Sequence, residues 1–191
     1  MNTLIPIILS LSTALGMPAS ATPKAECAMK INFQNETSGW GAVNDGVMGG
    51  KSSGGSNIQN SLLVFEGVLN TDGGGFSSVR TPVDPGDLEG TTGLTMRVKS
   101  DGRAYRVTMQ TDKKNLFRPV SFNVDIPVTE AGEWETVTAS YDTVKASVWG
   151  RRLSGVKFDP AKIKELGIII ADGRDGPFRL EVDWIKSCKQ P

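Results

Sequence analysis

Short apolar or alternating runs recur along most of the chain, separated by Gly, Asp, Asn and Pro residues that favour turns. In residues 94–99 apolar and polar residues alternate, which puts the apolar side chains of a strand on one face, and residues 179–184 repeat the pattern. Many short amphipathic strands bury their apolar faces by packing as two sheets or by closing a barrel. We therefore predict an all-β fold, a β-sandwich or a barrel.

Nine strands are predicted, at residues 29–33, 61–68, 76–80, 94–99, 105–110, 121–126, 135–140, 166–171 and 178–185. One helical signal interrupts them at residues 159–165, where Asp159 is placed to cap and Pro160 to occupy the first helical position of about two turns. The chain shows no internal repeat and no linker. We expect a leader at residues 1–21, a lead-in at 22–30, one domain at 31–186 and a tail at 187–191.

The composition removes several classes of chemistry. The 191 residues include no histidine and two cysteines. A Ser/His/Asp triad, a Cys/His dyad, a zinc site with imidazole ligands and a four-thiolate site built from one chain are therefore excluded. Basic and acidic residues both number 21, and a net charge of zero argues against binding to a nucleic-acid backbone. No motif predicts a cofactor or a metal.

The first residues have the pattern of a signal peptide. An apolar run at residues 4–15 is followed by Ala19-Ser20-Ala21, a small-residue cleavage signature. Gly16 and Pro18 break the run before it reaches the length of about 20 residues that a spanning helix needs. We expect cleavage after Ala21 and an exported protein, periplasmic or extracellular, without a stable membrane span.

Export bears on the two cysteines, Cys27 near the start of the domain and Cys188 near its end. In an oxidising compartment two such cysteines favour a disulfide. The bond would close nearly the whole domain into one loop, which the chain-entropy account values at about 4–5 kcal/mol. It requires the first and last strands to be neighbours. The alternative is a pair of unpaired thiols at the chain ends.

The densest glycine-rich segment spans residues 40–55. Gly50-Lys51-Ser52 resembles part of a phosphate-binding loop, but the glycine required five positions earlier is Asp45. Two interpretations remain open. Asn44 and Asp45, with nearby amides, could hold a polar ligand or Ca²⁺, although one carboxylate is few for a cation that takes six to eight oxygens. The favoured interpretation is that both side chains cap their own loop.

Three further glycine-rich segments lie at residues 73–81, 148–155 and 168–178. In the last of them Asp172 and Asp175 are expected to brace a polar turn before the final strand. A hydrolase would need two carboxyl groups about 5–9 Å apart across a cleft. The candidates for such a pair are Glu130, Glu133, Glu135, Asp172 and Asp175.

Four of these motifs together resemble the complex I intermediate-associated protein 30 family. They are NDGVMGG at residues 44–50, GGFSSVRT at 74–81, GRRLSG at 150–155 and IADGRDGPFRLEVDWI at 170–185. Their order and extent cover roughly residues 31–185. The resemblance implies a galactose-binding-like jelly-roll β-sandwich. It also implies a role like that of the mitochondrial members, which are assembly factors for NADH:ubiquinone oxidoreductase, and it transfers no catalytic residue.

Three functions follow, in order of preference: a non-enzymatic module that binds another protein, a carbohydrate-binding module of the cell envelope, and a hydrolase that uses Asp or Glu. For a protein partner, the contact candidates are the loop at residues 44–50 and the pair Arg151 and Arg152, because arginine suits interfaces. For a saccharide, the aromatic candidates are Trp40, Tyr105, Tyr141 and Trp149. The predicted binding residues are Trp40, Asn44, Asp45, Met48, Arg80, Trp149, Arg151, Arg152 and Asp172.

Overall fold

A computed structural model of the chain describes residues 27–34 and 39–188, and the predicted leader lies outside these residues. The strands are β1 Cys27–Asn32, β2 Gly41–Asn44, β3 Ser53–Gln59, β4 Leu62–Leu69, β5 Ser77–Pro82, β6 Gly93–Ser100, β7 Tyr105–Asn115, β8 Arg118–Asp125, β9 Trp134–Ser140, β10 Lys145–Val148, β11 Arg151–Leu153, β12 Glu165–Ile170 and β13 Gly176–Cys188. Three single 3₁₀ turns join them: η1 Asp45–Met48, η2 Tyr141–Thr143 and η3 Pro160–Lys162.

The strands form two antiparallel sheets. The six-stranded sheet runs β3-β4-β13-β6-β9, with β1 also paired to β13, and the seven-stranded sheet runs β11-β10-β8-β7-β12-β5-β2. Strand β13 is central to the first sheet: one of its edges pairs with β6, and its other edge pairs first with β4 and then with β1. The predicted all-β sandwich is confirmed.

The core lies between the two sheets and follows from alternation along each strand. Leu63, Phe65, Met96, Val98, Leu180 and Val182 come from the six-stranded sheet, and Val79, Val107, Met109, Phe122, Leu166 and Ile168 from the seven-stranded sheet. All twelve are nearly or fully buried. The opposite face of the seven-stranded sheet therefore carries the alternate side chains, and these form the candidate site.

The structure differs from the sequence prediction in three places. The predicted two-turn helix is one 3₁₀ turn, η3, in which Asp159 does cap by accepting from the Ala161 amide and Pro160 does occupy the first position. Four strands without strong alternation, β2, β3, β10 and β11, were not predicted. The sandwich is also longer than residues 31–186, because β1 begins at Cys27 and β13 ends at Cys188.

The first and last strands are neighbours, as a disulfide between their cysteines would require. Cys27 lies opposite Cys188 in the β1–β13 ladder. Directly opposed residues of antiparallel strands have Cα atoms about 4.5–5.5 Å apart, which is within the range of disulfides.

The helical elements of the described residues are short 3₁₀ turns, and none of them could span a membrane.

Candidate functional site

A groove of about 460 Å³ lies on the outer face of the seven-stranded sheet. Its floor follows from the two-residue period of β7 and β8: Tyr105, Val107 and Met109 point into the core, so their neighbours on β7 point outward. The polar floor consists of Arg80, Arg106, Thr108, Gln110, Ser121, Asn123, Lys145, Ser147 and Arg152. Such a volume suits a small ligand or a short stretch of an extended chain.

The charged residues that line the groove are all basic. They are Arg80, Arg106, Lys145 and Arg152, and the lining holds no carboxylate. Two of them are neutralised from outside the lining, because Arg80 contacts Glu165 at 3.0 Å and Lys145 contacts Asp125 at 2.8 Å. Arg106 and Arg152 have no ion-pair partner within the described residues. The groove is therefore electropositive.

Gly167 on β12 leaves room for the side chain of Arg80, which belongs to the floor. It lies between Arg80 on β5 and Thr108 on β7 in the two ladders. A Cβ at this position would lie 2.8 Å from the Arg80 Cγ and 2.5 Å from the Val79 carbonyl oxygen. Because Gly167 has no side chain, the aliphatic part of Arg80 can pass over it. The Nη1 of Arg80 then donates a hydrogen bond to Glu165.

One wall of the groove is η1 and the loop before β5, and a buried carboxylate holds these segments together. Asp45 has no exposed surface. Its Oδ1 accepts a hydrogen bond from the Ser52 amide at 2.9 Å, and its Oδ2 accepts from the Ser52 hydroxyl at 2.6 Å. Oδ2 also accepts from the amides of Gly75 at 2.6 Å and Phe76 at 3.3 Å. All four donors come from this chain, so Asp45 is structural.

Two of the four motifs that carry the family resemblance, residues 44–50 and 74–81, meet at Asp45. A Cβ on Gly50 would lie 2.3 Å from its Cγ, and one on Gly74 would lie 2.4 Å from its Oδ2. Asn44 closes the same junction, because its amide donates to the Gly54 carbonyl at 3.0 Å and its oxygen accepts from the Ser77 hydroxyl at 2.6 Å. Of the two interpretations of Asn44 and Asp45, the structure supports the one in which they hold their own loop.

The electrostatics of Asp45 agree with this role. Burial by itself would raise the pKa of the carboxyl group, but the hydrogen bonds from Ser52, Gly75 and Phe76 stabilise the anion and lower the pKa below its ordinary value. The ionised carboxylate fixes η1, and η1 presents Val47 and Met48 to solvent at 76% and 42% exposure. These two side chains form the apolar wall of the groove.

The opposite wall is the turn between β10 and β11. Val148 pairs with Arg151, which leaves Trp149 and Gly150 as a two-residue turn with φ of +50° and +74°. Positive φ at both central residues favours Asn, Asp or Gly, so a tryptophan here is held against its backbone preference. Trp149 is 62% exposed, and the guanidinium carbon of Arg118 lies 3.6 Å from the centroid of its indole ring.

Asp172, another predicted site residue, lies in the interior. It forms an ion pair with Arg103 in which both side chains are more than nine-tenths buried. Arg103 also donates to the carbonyl oxygens of Arg174, Gly176 and Pro177, which ties the loop before β13 to the loop before β7. Burial would raise the pKa of Asp172, and the bonds from Arg103 lower it below its ordinary value. Asp172 therefore stays ionised as a brace.

The structure brings four of the predicted residues together at the groove: Met48, Arg80, Trp149 and Arg152. The other five lie elsewhere. Trp40 packs on Phe33 with ring centroids 6.0 Å apart, Asn44 and Asp45 hold the wall from behind, Arg151 begins β11 outside the lining, and Asp172 is internal. The aromatic candidates Tyr105 and Tyr141 are core residues.

The candidate catalytic carboxylates do not converge on the groove. Asp175 accepts from the Thr71 amide at 2.7 Å, which lowers its pKa, and Glu135 accepts from the Glu130 amide at 2.7 Å. No group of three or more Cys, Asp and Glu side chains in the described part of the chain is placed to hold a metal ion.

Sequence reasoning did not single out Arg106, Gln110 or Asn123. A usable signal was present, because the strands at residues 105–110 and 121–126 alternate apolar with polar residues, and the polar sets mark the outward faces. That alternation identifies a face but not a groove, since the walls come from η1 and the β10–β11 turn.

Comparison with known proteins agrees with the fold. The family model of complex I intermediate-associated protein 30 matches residues 29–182. The family 11 carbohydrate-binding module from Clostridium thermocellum, solved with a β-1,3-1,4-mixed-linked tetrasaccharide, is similar with a TM-score of 0.62 at 14% identity over 86% of this chain and 96% of that one. A family 30 carbohydrate-binding module is similar with a TM-score of 0.54 at 12% identity over 85% and 89%. The predicted galactose-binding-like jelly-roll sandwich is thereby confirmed. No curated protein matches the chain significantly.

Proposed function

The chain belongs to the complex I intermediate-associated protein 30 family, and from this premise we propose that it is a non-enzymatic binding protein that holds a segment of another protein, as an assembly factor does. The groove on the seven-stranded sheet carries the proposal. Its floor consists of side chains on paired strands, and Asp45 anchors one of its walls. Arg106 and Arg152 offer guanidinium groups without ion-pair partners in the described residues, which suits the recognition of carboxylate and carbonyl oxygens.

Binding rather than catalysis is supported by the chemistry of the groove. Hydrolysis by Asp or Glu needs carboxyl groups at the substrate, and the lining holds none. The buried carboxylates Asp45 and Asp172 have lowered pKa values, which suits anions that hold loops and does not suit a general acid.

The proposed partner is a subunit or intermediate of respiratory complex I, the assembly named by the family. The test is affinity capture from host membranes with three baits: wild type, Arg152→Ala and Arg97→Ala. Arg97 is a matched control, because it is an exposed arginine on the other sheet, paired with Asp183 at 2.8 Å. We expect complex I subunits with wild type and Arg97→Ala, and a loss of several-fold or more with Arg152→Ala. Equal capture by all three baits would place the interface elsewhere, and absence of those subunits would overturn the partner.

A second candidate ligand is a saccharide, which the exposed Trp149 at the edge of a polar floor favours. Indole rings stack on apolar faces of sugars, while Gln110, Asn123 and Ser147 offer donors and acceptors. Sugar-dependent change in tryptophan fluorescence that disappears in Trp149→Asn would support this ligand. An unchanged signal across neutral and acidic glycans would exclude it from the groove.

We further propose that the protein is exported after cleavage at Ala21 and that Cys27 and Cys188 form a disulfide. The leader pattern supports the first statement, and the direct opposition of the two cysteines in the β1–β13 ladder supports the second. Sequencing of the amino terminus of the protein isolated from its host tests the cleavage, with Thr22 as the expected first residue.

A further inference from the structure

Two hairpin tips project side by side from one end of the seven-stranded sheet. Strand β8 begins at the β7–β8 turn, where Asn115 pairs with Arg118, and it lies between β7 and β10. Ser121 of β8 lies opposite Gln110 on one side and Ser147 on the other. The β7–β8 and β10–β11 turns therefore lie at the same end of neighbouring strands. Arg118 confirms their proximity, because its guanidinium group stacks on Trp149.

The apices of these turns carry large apolar side chains in exposed positions. Leu116 is 84% exposed, Phe117 is 94% exposed and Trp149 is 62% exposed. These three residues are the apolar tips. Three such side chains side by side are unusual on a protein surface, where isolated apolar residues are common but clusters mark interaction sites.

The backbone of the apolar tips disfavours the residues that occupy them. Leu116 and Phe117 have φ of +46° and +73°, and Trp149 has φ of +50°. A two-residue turn of this kind is best served by Asn and Gly. The β3–β4 turn provides an internal comparison: it has the same positive φ values, +52° and +62°, and is built from polar Asn60 and Ser61. Bulky apolar residues at strained positions indicate a function other than folding.

Cations surround the apolar tips. Lys113 and Lys114 precede the first turn, Arg118 follows it and Arg151 follows the second turn. At about 3.4 Å per residue, the backbone positions of these four residues lie roughly 3–10 Å behind the apices. None of the four forms an ion pair within the described residues, and Asp112 is the one carboxylate in the adjoining part of β7. The chain as a whole has no net charge, so this end of the sheet is a local concentration of positive charge.

We propose that these two tips dock the protein on the surface of an anionic lipid bilayer. The apolar tips enter the boundary between headgroups and acyl chains, and the four cations behind them lie at the level of lipid phosphates and carboxylates. Interfacial anchors typically combine Leu, Phe and Trp side chains with neighbouring Lys and Arg. A hot spot in a protein interface needs a shaped, well-packed pocket on the partner. Two projecting turns can instead insert into a lipid surface, which deforms to accommodate them. The docking surface shares Trp149 with the wall of the groove, whereas Leu116 and Phe117 lie outside the groove lining.

The turn chemistry supplies a variant that separates docking from folding. Leu116→Asn with Phe117→Gly places the preferred residues in the β7–β8 turn, so the variant is expected to be at least as stable as wild type. The full chain, wild type or variant, is sedimented with sucrose-loaded vesicles of phosphatidylcholine, with or without phosphatidylglycerol. We expect wild type to bind the anionic vesicles preferentially and the variant to lose about tenfold or more in partition coefficient.

Charge is tested separately. Lys114→Glu with Arg118→Glu removes the preference for phosphatidylglycerol, whereas Lys162→Glu on the exposed η3 turn leaves it unchanged. Wild type and all variants share residues 1–21, so any contribution of this segment to vesicle binding is the same in each of them. Residues 1–21 contain no tryptophan. Quenching by lipids brominated in the acyl chain therefore reports on the domain and is expected to fall in Trp149→Asn.

Three results overturn the proposal: equal vesicle binding by wild type and the Asn-Gly variant, no preference of wild type for anionic vesicles, and no vesicle binding by wild type. If wild type ignores vesicles while the Asn-Gly variant loses a captured protein, the tips are a protein interface instead. Failure of the groove experiments leaves these outcomes readable, because the Asn-Gly variant changes Leu116 and Phe117, which lie outside the groove lining, and leaves Arg152 and Trp149 in place.

Discussion

Arg103 holds both carboxylate oxygens of Asp172: its Nε lies 2.9 Å from Oδ2 and its Nη2 lies 2.6 Å from Oδ1. The pair joins the loop before β7 to the loop before β13 across 69 positions of sequence. A buried bidentate pair of this kind is expensive to form and more expensive to break, because loss of one partner leaves the other charge unpaired.

Replacing Asp172 with Asn is therefore expected to lower the free energy of unfolding by about 3–5 kcal/mol. Asp183→Asn is the matched control, since its pair with Arg97 is partly exposed and should contribute within about 1 kcal/mol. Urea unfolding followed by tryptophan fluorescence measures both. Equal small losses in the two variants would contradict a structural role for Asp172.

The lowered pKa values of Asp45 and Asp172 predict the acid limit of stability. A carboxyl group whose pKa is lower in the folded state contributes stability above its unfolded pKa, about 3.9, and loses that contribution as the pH falls. The free energy of unfolding should therefore be steady near neutral pH and fall below about pH 4. Denaturant titrations across this range check the slope, which should be shallower in Asp172→Asn. A slope unchanged by that substitution would show that Asp172 does not contribute to the loss of stability at low pH.

Gly50 and Gly46 make a matched pair in one loop. Gly50→Ala places a Cβ 2.3 Å from the buried Asp45 carboxyl carbon, so we expect a loss of about 1–3 kcal/mol from overpacking. Gly46→Ala has nothing within 4 Å of the new Cβ and should stay within about 0.5 kcal/mol of wild type. Thermal unfolding ranks the two, and a larger loss for Gly46→Ala would refute the packing around Asp45.

The proposed disulfide should contribute about 4–5 kcal/mol, because it closes nearly the whole domain. Reduction, or Cys27→Ser with Cys188→Ser, should lower the unfolding midpoint by several degrees or more. Mass spectrometry after thiol alkylation under denaturing, non-reducing conditions gives the direct readout. Two alkylated cysteines in protein isolated from its host would show that the bond is not formed there.

Most of the fold was predictable from local pattern, and the misses have physical causes. Strands such as β6 alternate clearly, whereas β3 is rich in Gly, Ser and Asn, which have low intrinsic preference for strands. Its place depends on tertiary contacts: a Cβ on Gly54 would lie 2.3 Å from the Ser77 Oγ and 2.7 Å from the Phe178 Cζ. The seven residues of β3 contain no signal for this close approach, because its partners Ser77 and Phe178 are distant in sequence.

The site was predicted less completely, for the same reason. The sequence favoured loop capping by Asp45 but left ligand binding open, because two of its donors, the amides of Gly75 and Phe76, lie about 30 positions away. Arg103 carried no local signal, because its role depends on Asp172 in a distant loop. The motifs marked the walls of the groove, and its floor came from the pairing of strands distant in sequence, among them β7 with β12 and β12 with β5.

The central place of β13 bears on how the protein is made. β13 is the last strand in chain order, yet it forms the ladder partners of β1, β4 and β6. Until residues 176–188 have been synthesised, β4 can pair only with β3 and β6 only with β9, while β1 has no partner strand in this sheet, so each of the three presents an open edge. The six-stranded sheet can therefore be completed only after residues 176–188 have been synthesised, so its closure depends on contacts between segments far apart in the chain.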